Sequence, residues 1–204
     1  MDIVLNATFN NPSLPVIVRP GFTDSFDREA SDTLGTTDDG KAWSPVDLGS
    51  NPSVWGPNGD GTASLKTASS TWQLARVDGL SSDGTLTGVL GTFTGTRWGG
   101  LAFRIQDAEN HIRVAESSGS SSGIALQHRN NGNTDTLGSS ARGVEAKDGD
   151  AISVQFAGDQ ISVFLNGVSI IEATLAELVD VPYHGLYSHL SADTSWESIS
   201  FAPA

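Results

Sequence analysis

The stretch that decides the fold reads WGGLAFRIQDAENHIRVAES at residues 98–117, GIALQHRNNGNTDTL at 123–137 and GDAISVQFAGDQISVFLNGV at 149–168. Apolar residues occupy every second position in five short runs, which begin at Leu101, Ile112, Ile124, Ile152 and Ile161. A period of two with one apolar side is typical of half-buried antiparallel strands. Because Gly, Asn or Asp separates the runs, the pattern predicts a five-stranded meander within one sheet. Asn166-Gly167 tolerates positive φ at both positions and predicts a type I′ hairpin.

The rest of the chain continues the strand pattern on both sides of this stretch. Further strand-like runs are STWQLARVD at 70–78, GTLTGVLGTF at 84–93 and SWESISF at 195–201, and EATLAEL at 172–178 is the one candidate for a helical turn. Trp43, Trp55, Trp72 and Trp196 lie in or beside such runs, so we expect them in the core or at its edge. About a dozen short strands without βαβ alternation predict an all-β fold. We therefore expect a two-sheet antiparallel β-sandwich with at most one short helix near residues 172–178.

The first twenty residues differ from the rest. They contain three prolines, at positions 12, 15 and 20, and proline removes a donor from the strand ladder. Residues 1–20 are therefore interpreted as an arm or edge segment that docks on a neighbouring subunit, or as a floppy terminus. Residues 21–204 form the predicted domain.

Composition excludes several classes of function. The chain has 204 residues, no cysteine and a net charge of −13. Disulfides and thiolate metal sites are excluded, and the acidic balance argues against nucleic-acid binding and against docking on anionic lipid. No run is long and apolar enough for a membrane span, and the N-terminus lacks the basic and apolar regions of a secretion signal. We expect a chain without membrane insertion that is used without secretion.

Several residues taken in order resemble the concanavalin A-like lectin/glucanase superfamily, in particular the domains of minor tail proteins of phages of actinobacteria. The matching positions are Asp24–Arg28, Trp43, Trp55, Phe103–Asp107 and Val163–Gly167. The resemblance covers residues 21–204 and implies a jelly roll with one concave face. It also implies a virion tail protein, made in the host cytoplasm, that contacts other tail subunits and forms a homo-oligomer, with a trimer as one arrangement. Host cell-surface glycan is the ligand that this resemblance implies during adsorption.

One row of polar residues is the candidate binding site. Opposite the apolar positions of the central strands lie Arg104, Gln106, His111, Arg113, Gln127 and Arg129, and Trp98 precedes the row. Three of the chain's eleven Lys and Arg residues are thus expected on one face of an acidic protein. Planar hydrogen-bonding side chains with an aromatic platform suit a sugar. The alternative is a solvated sheet face with ordinary cross-strand pairs.

The residues that catalysis would need do not form a familiar pattern. Laminarinase-like members of the superfamily carry Glu-x-Asp on one strand, and none of the seven Glu of this chain has an Asp two residues later. We therefore predict that the chain is not an enzyme. The four His lack zinc-site spacing, so no cofactor is expected. A structural calcium held by Asp24, Asp27 and Asp193 is the remaining metal hypothesis.

Three functions stay in competition at this point. The first is a virion tail protein that contacts host glycan. The second is a purely architectural virion subunit without a glycan ligand. The third is a carbohydrate-binding module, or an enzyme, of a bacterial carbohydrate-active protein, against which the missing secretion signal and carboxylate pattern count.

Overall fold

The structure is a computed structural model, and it describes residues 20–46, 54–67, 72–93, 98–117, 123–189 and 194–204. The arm predicted at 1–20 lies outside these residues, apart from Pro20. The described part of the chain contains no helix that is long and apolar enough to cross a membrane.

Fifteen described strands form two antiparallel sheets. The eight-stranded sheet comprises β1 (Phe22–Asp24), β3 (Trp55–Pro57), β4 (Ala63–Leu65), β6 (Gly84–Phe93), β11 (Ala151–Ala157), β12 (Gln160–Leu165), β13 (Val168–Thr174) and β15 (Thr194–Pro203). The seven-stranded sheet comprises β2 (Ser44–Val46), β5 (Trp72–Asp78), β7 (Trp98–Phe103), β8 (His111–Ser117), β9 (Gly123–Asn130), β10 (Asn133–Ser139) and β14 (Tyr183–His189). The order across the second sheet is β10-β9-β8-β7-β14-β5-β2.

The core fills the space between the two sheets. Leu101, Phe103 and Ile112 of the seven-stranded sheet pack into the same buried cluster as Phe156 and Trp196 of the eight-stranded sheet. Phe103 and Phe156 stack with ring centroids 4.7 Å apart, which joins the two layers directly. The alternating apolar residues thus have the buried face that their period predicts, and the two-sheet antiparallel β-sandwich is confirmed.

The prediction that the five central runs share one sheet is wrong. The runs of β7, β8 and β9 lie in the seven-stranded sheet, whereas those of β11 and β12 lie in the eight-stranded sheet. The chain crosses between sheets after β10, through residues 140–150. Both sheets face one core, so the same alternation occurs in each and does not tell them apart.

The hairpin predicted at Asn166-Gly167 is confirmed. It joins β12 to β13, and Leu165 pairs with Val168 across it. Asn166 has φ +50° and Gly167 has φ +79°, as a type I′ turn requires.

The short helix considered at residues 172–178 does not form. Residues 172–174 complete β13, which pairs with β12, and residues 177–180 form a turn. Strand pairing satisfies the backbone groups of residues 172–174, and this outweighs the local preference of EATLAEL for a helix.

Candidate functional site

The candidate site lies on the outer face of the seven-stranded sheet, defined as the side turned away from the eight-stranded sheet. Pairing across the sheet aligns Leu74, Tyr187, Gly100, Ala115 and Ala125 in one row on this face. The middle of the row consists of Gly and Ala, so only small side chains project from the centre of the face. Large side chains from the flanking strands can therefore lie flat across it.

Six side chains form the group that we call the Trp72 cluster: Trp72, His111, Arg113, Arg129, Tyr187 and His189. The half-buried indole of Trp72 stacks on the His189 ring at a centroid distance of 4.1 Å and on Tyr187 at 5.6 Å. The guanidinium carbon of Arg113 lies 3.9 Å from the Trp72 ring centroid and 4.7 Å from that of Tyr187. The cation therefore lies against two aromatic rings, which is the arrangement of a cation–π contact.

Arg113 is fully buried, and its hydrogen bonds go to neutral groups. Its Nε donates to Gln127 Oε1 at 2.9 Å, and its Nη1 donates to His111 Nε2 at 3.3 Å. Its Nη2 makes a longer contact of 3.4 Å to Thr134 Oγ1. None of these partners is a carboxylate, so the charge of Arg113 is not neutralised by a direct ion pair within the described residues.

Arg129 forms the charged rim of the cluster. Its Nη2 donates to Glu109 Oε2 at 2.7 Å, and its guanidinium carbon lies 5.2 Å from the Trp72 ring centroid. Its Nη1 reaches Thr134 Oγ1 at 3.4 Å, the same distance at which Arg113 reaches that hydroxyl. Thr134 is an exposed residue and Arg113 is fully buried, so the two guanidinium groups meet at the edge of the buried part of the cluster.

Burial is the main cause of the shifted pKa values in the cluster. Burial, reinforced by the charges of Arg113 and Arg129, lowers the pKa of His111 to about 3, so its imidazole is neutral at pH 7. Burial also lowers the pKa of the Arg113 guanidinium and raises the pKa of the Tyr187 phenol. The cluster thus combines two cations, a neutral imidazole and a neutral phenol.

The cluster contains buried polar atoms without a hydrogen-bond partner within the described residues. They include Nδ1 of His111, Nε of Arg129 and the hydroxyl oxygen of Tyr187. A buried donor without an acceptor costs about 1–3 kcal/mol, so such atoms are usually satisfied by water or a ligand. The outer face therefore offers hydrogen-bonding capacity that the described protein groups do not use.

The structure brings together four of the seven site residues predicted from the sequence: His111, Arg113, Gln127 and Arg129. Arg104 is not with them, and its expected place on the outer face is wrong. Arg104 follows β7 with φ +49°, which turns its side chain toward the other sheet. There it donates to Asp83 Oδ1 at 2.9 Å and to the Gly158 carbonyl at 2.7 Å, beside the Phe156 ring.

Gln106 lies off the sheet, and of Trp98 the structure describes the backbone alone. Gln106 is exposed in the loop between β7 and β8, and its carbonyl accepts from Arg76 Nη1 at 2.7 Å. Its expected place in the row on the sheet is therefore wrong as well. Trp98 pairs with His189 in the backbone ladder, but its side chain lies outside the described residues.

Sequence reasoning missed three members of the cluster. Trp72 was assigned to the core or its edge, and Tyr187 and His189 were not considered as site residues. The signal was the alternation in β5 and β14, which places Trp72, Tyr187 and His189 on one side of their strands. Only the sheet order, with β14 between β5 and β7, shows that this side is also the side of Arg113.

The calcium hypothesis fits Asp24 poorly. Its buried carboxylate accepts hydrogen bonds from Arg28 at 2.6 and 2.9 Å, from Trp43 Nε1 at 2.7 Å and from the Phe26 amide at 3.0 Å. These donors occupy the oxygens that a cation would need. Asp193 lies outside the described residues, and the described part of the chain contains no group of three His, Asp or Glu that could hold a metal.

Comparisons with solved structures identify the architecture. The carbohydrate-binding module CBM66 from Bacillus subtilis matches with a TM-score of 0.53 at 15% identity, covering 79% of this chain and 92% of that one. A β-1,3-1,4-glucanase (lichenase) from a mouse hindgut metagenome matches with a TM-score of 0.59 at 12% identity, covering 91% and 100%. The galectin LEC-6 of Caenorhabditis elegans matches with a TM-score of 0.50 at 12% identity, covering 68% and 93%. The chain has the concanavalin A-like jelly-roll fold.

Comparisons of the sequence identify no family for the chain. No protein-family model matches the chain, and no curated protein matches it. A carbohydrate-binding module and a galectin share the jelly roll with this chain, and at 15% and 12% identity these matches establish the fold alone. The tail-protein context does not follow from these matches.

The prediction that the chain is not an enzyme is contradicted by these matches. The lichenase is a glycoside hydrolase with the same jelly roll. The prediction rested on the missing Glu-x-Asp pattern of laminarinase-like enzymes, and one missing pattern does not exclude catalysis in a fold that hydrolases and lectins share.

Proposed function

We propose that the chain binds glycans on the outer face of the seven-stranded sheet, at the Trp72 cluster. The observation that carries the proposal is the half-buried Trp72 indole, which stacks on His189 and lies 5.2 Å from the guanidinium carbon of Arg129. A sugar ring has an apolar face that packs on an aromatic ring and hydroxyl groups that need planar donors and acceptors. The cluster supplies both within one patch.

The platform is held before any ligand arrives. Trp72 stacks on His189 and Tyr187 and lies over the guanidinium of Arg113, so three neighbours restrict its rotamer. Binding to a fixed aromatic ring avoids the ordering cost of an immobilised side chain, which is about 0.5–1.5 kcal/mol. This matters for a sugar, because weak individual contacts leave little free energy for ordering the site.

The fold supports the same use of the molecule. A carbohydrate-binding module and a galectin share this jelly roll. Their identity to this chain is 15% and 12%, so the support concerns the architecture, and the residues that bind come from the Trp72 cluster itself.

The biological setting of the proposal is the tail of a phage virion. The chain would contact other tail subunits through residues 1–20 and host cell-surface glycan through the Trp72 cluster, as a homo-oligomer made in the host cytoplasm. The support for this setting is the sequence resemblance of Asp24–Arg28, Trp43 and Phe103–Asp107 to minor tail proteins. Immunogold labelling of purified virions tests the setting, and virions that carry no label would contradict it.

Glycan binding is tested on a glycan array that includes plant, fungal and bacterial cell-wall polymers. The wild-type chain is compared with Trp72→Ala, which removes the platform, and with Val168→Ala, an equally apolar change at a position 66% exposed on the other sheet. Loss of the stacking surface should weaken binding about tenfold or more, because aromatic contacts contribute about 1–2 kcal/mol. Val168→Ala should bind like the wild type.

The outcomes separate the competing functions. Binding that Trp72→Ala retains in full would contradict the proposed site, and no binding to any polymer would favour a purely architectural subunit. A reducing-end assay on every bound polymer then shows whether the chain also cleaves what it binds.

A further inference from the structure

The charge of the Trp72 cluster is unbalanced. Among the residues that the structure describes, the guanidinium groups of Arg113 and Arg129 have one ion-pair partner between them, the Glu109 carboxylate, which contacts Arg129. The hydrogen-bond partners of Arg113 are Gln127, His111 and Thr134, all of them neutral. A patch with one excess positive charge thus lies on a chain whose net charge is −13.

An unpaired buried cation is costly, and the protein compensates for it only in part. Trp72 and Tyr187 lie against Arg113 and offer it cation–π stabilisation. A carboxylate would compensate more completely, because charge-assisted hydrogen bonds to guanidinium are roughly twice as strong as neutral ones. The described protein groups do not supply that second carboxylate.

The geometry indicates where an external anion would fit. The hydroxyl of Thr134, an exposed residue, lies 3.4 Å from Arg113 Nη2 and 3.4 Å from Arg129 Nη1, so both cations approach one point at the edge of the cluster. Both contacts are longer than an ordinary hydrogen bond, so Thr134 satisfies neither donor well. Next to this point, the buried Nε of Arg129 has no acceptor within the described residues.

We propose that the glycan held on Trp72 is an acidic one, and that a uronic-acid carboxylate binds beside Thr134 between Arg113 and Arg129. The proposal rests on the proposed function, because Trp72 must hold the sugar ring that carries the carboxylate. Arg129 receives the carboxylate at Nη1, because Glu109 binds Nη2 and Nε is buried, and Arg113 contributes its charge from below. Glu109 orients Arg129 and disfavours a second anion at the same place.

The test uses polygalacturonate, alginate and hyaluronan, each beside its carboxyl-reduced counterpart, with affinity measured by isothermal titration calorimetry. The wild-type chain should bind at least one acidic polymer about tenfold more tightly than the same polymer after reduction. The preference should shrink as salt is raised, because the exposed part of the contact is screened.

Variants separate the carboxylate contact from the platform. Arg129→Gln should lose about tenfold more affinity for the acidic polymer than for the reduced one, because only the acidic polymer carries the carboxylate that Arg129 binds. Arg129→Lys keeps the charge but not the planar fork, so its affinity for the acidic polymer should lie between those of the wild type and Arg129→Gln. It also serves as a control for misfolding of Arg129→Gln. Arg142→Gln removes the same charge from an exposed loop position and should leave both affinities unchanged.

The two proposals fail in different ways. Equal affinity for acidic and reduced polymers, or no binding to any acidic polymer while a neutral glycan binds through Trp72, overturns the acidic preference and leaves glycan binding intact. Binding that Trp72→Ala does not weaken, or no binding to any glycan, overturns both. An acidic preference that Arg142→Gln removes as strongly as Arg129→Gln reflects net charge alone and also overturns the inference.

Discussion

Mild acid should destabilise the jelly roll through two buried histidines. His111 lies beside Arg113, whereas His184 lies between the sheets, where its Nδ1 accepts from the Arg104 amide at 3.2 Å and its Nε2 lies 2.9 Å from the Ser81 carbonyl. Burial lowers the pKa of His111 to about 3 and that of His184 to about 4. Both imidazoles therefore stay neutral in the folded chain at pH values where an unfolded histidine is protonated.

The sign and size of the effect follow from proton linkage. Because both folded pKa values lie below the unfolded value of 6.5, stability is complete above about pH 6.5 and falls as pH decreases toward 4. Because pH 5 lies about 1.5 units below the unfolded pKa, each histidine that stays neutral in the folded chain lowers the free energy of unfolding by about 2 kcal/mol. Together they should lower the free energy of unfolding by about 4 kcal/mol, a large part of the 5–15 kcal/mol typical of a domain.

Urea unfolding followed by tryptophan fluorescence measures this loss at pH 7.5, 6 and 5. The variants His111→Gln and His184→Gln remove one titrating group each, so each should reduce the pH dependence by about 2 kcal/mol whatever its stability at pH 7.5. If both variants keep the pH dependence of the wild type, the two imidazoles are not the groups that titrate on unfolding and the electrostatic description of the cluster is wrong.

Three further predictions concern stability and are measured by urea unfolding at pH 7.5. Arg104→Met should lower the free energy of unfolding by about 2 kcal/mol, because it removes the buried partner of Asp83. It should leave glycan affinity unchanged, because Arg104 lies away from the Trp72 cluster. Weakened binding by a folded variant would place Arg104 in the site. Asp24→Asn should cost about 3 kcal/mol, since its carboxylate accepts from Arg28 and Trp43 in a buried position, and a loss below 1 kcal/mol would contradict that role. Gly167→Ala should lower the free energy of unfolding by about 1 kcal/mol, because φ is +79° at this position and alanine is strained there. A Cβ would meet no other atom, so the cost comes from the backbone alone. An unchanged stability would show that the hairpin relaxes.

The sequence predicted the faces of the strands better than their neighbours. Leu101, Phe103 and Ile112 point into the core because a strand's period of two determines which side chains share a face. The assignment of β11 and β12 to the other sheet depends on the path of residues 140–150, and alternation carries no information about that path. Burial could be anticipated, but sheet membership could not.

The candidate site shows the same division. The alternation of His111, Arg113, Gln127 and Arg129 was visible in adjacent strands and survives in the structure. Arg104 departs from the row because its backbone adopts a left-handed conformation, which residue type does not reveal outside glycine and asparagine. The approach of Trp72 to Arg113 joins positions far apart in the chain across a row of Gly and Ala, and this required the sheet order.

The measurement that tests the central claim most directly is an NMR titration of the tryptophan indole N–H signals with the polymer that gives the strongest array signal. The account predicts that the Trp72 Nε1–H resonance shifts on binding, while those of Trp43, Trp55 and Trp196, all buried in the core, stay in place. Glycan binding that leaves the Trp72 resonance unmoved, or that shifts the core indoles instead, would contradict it.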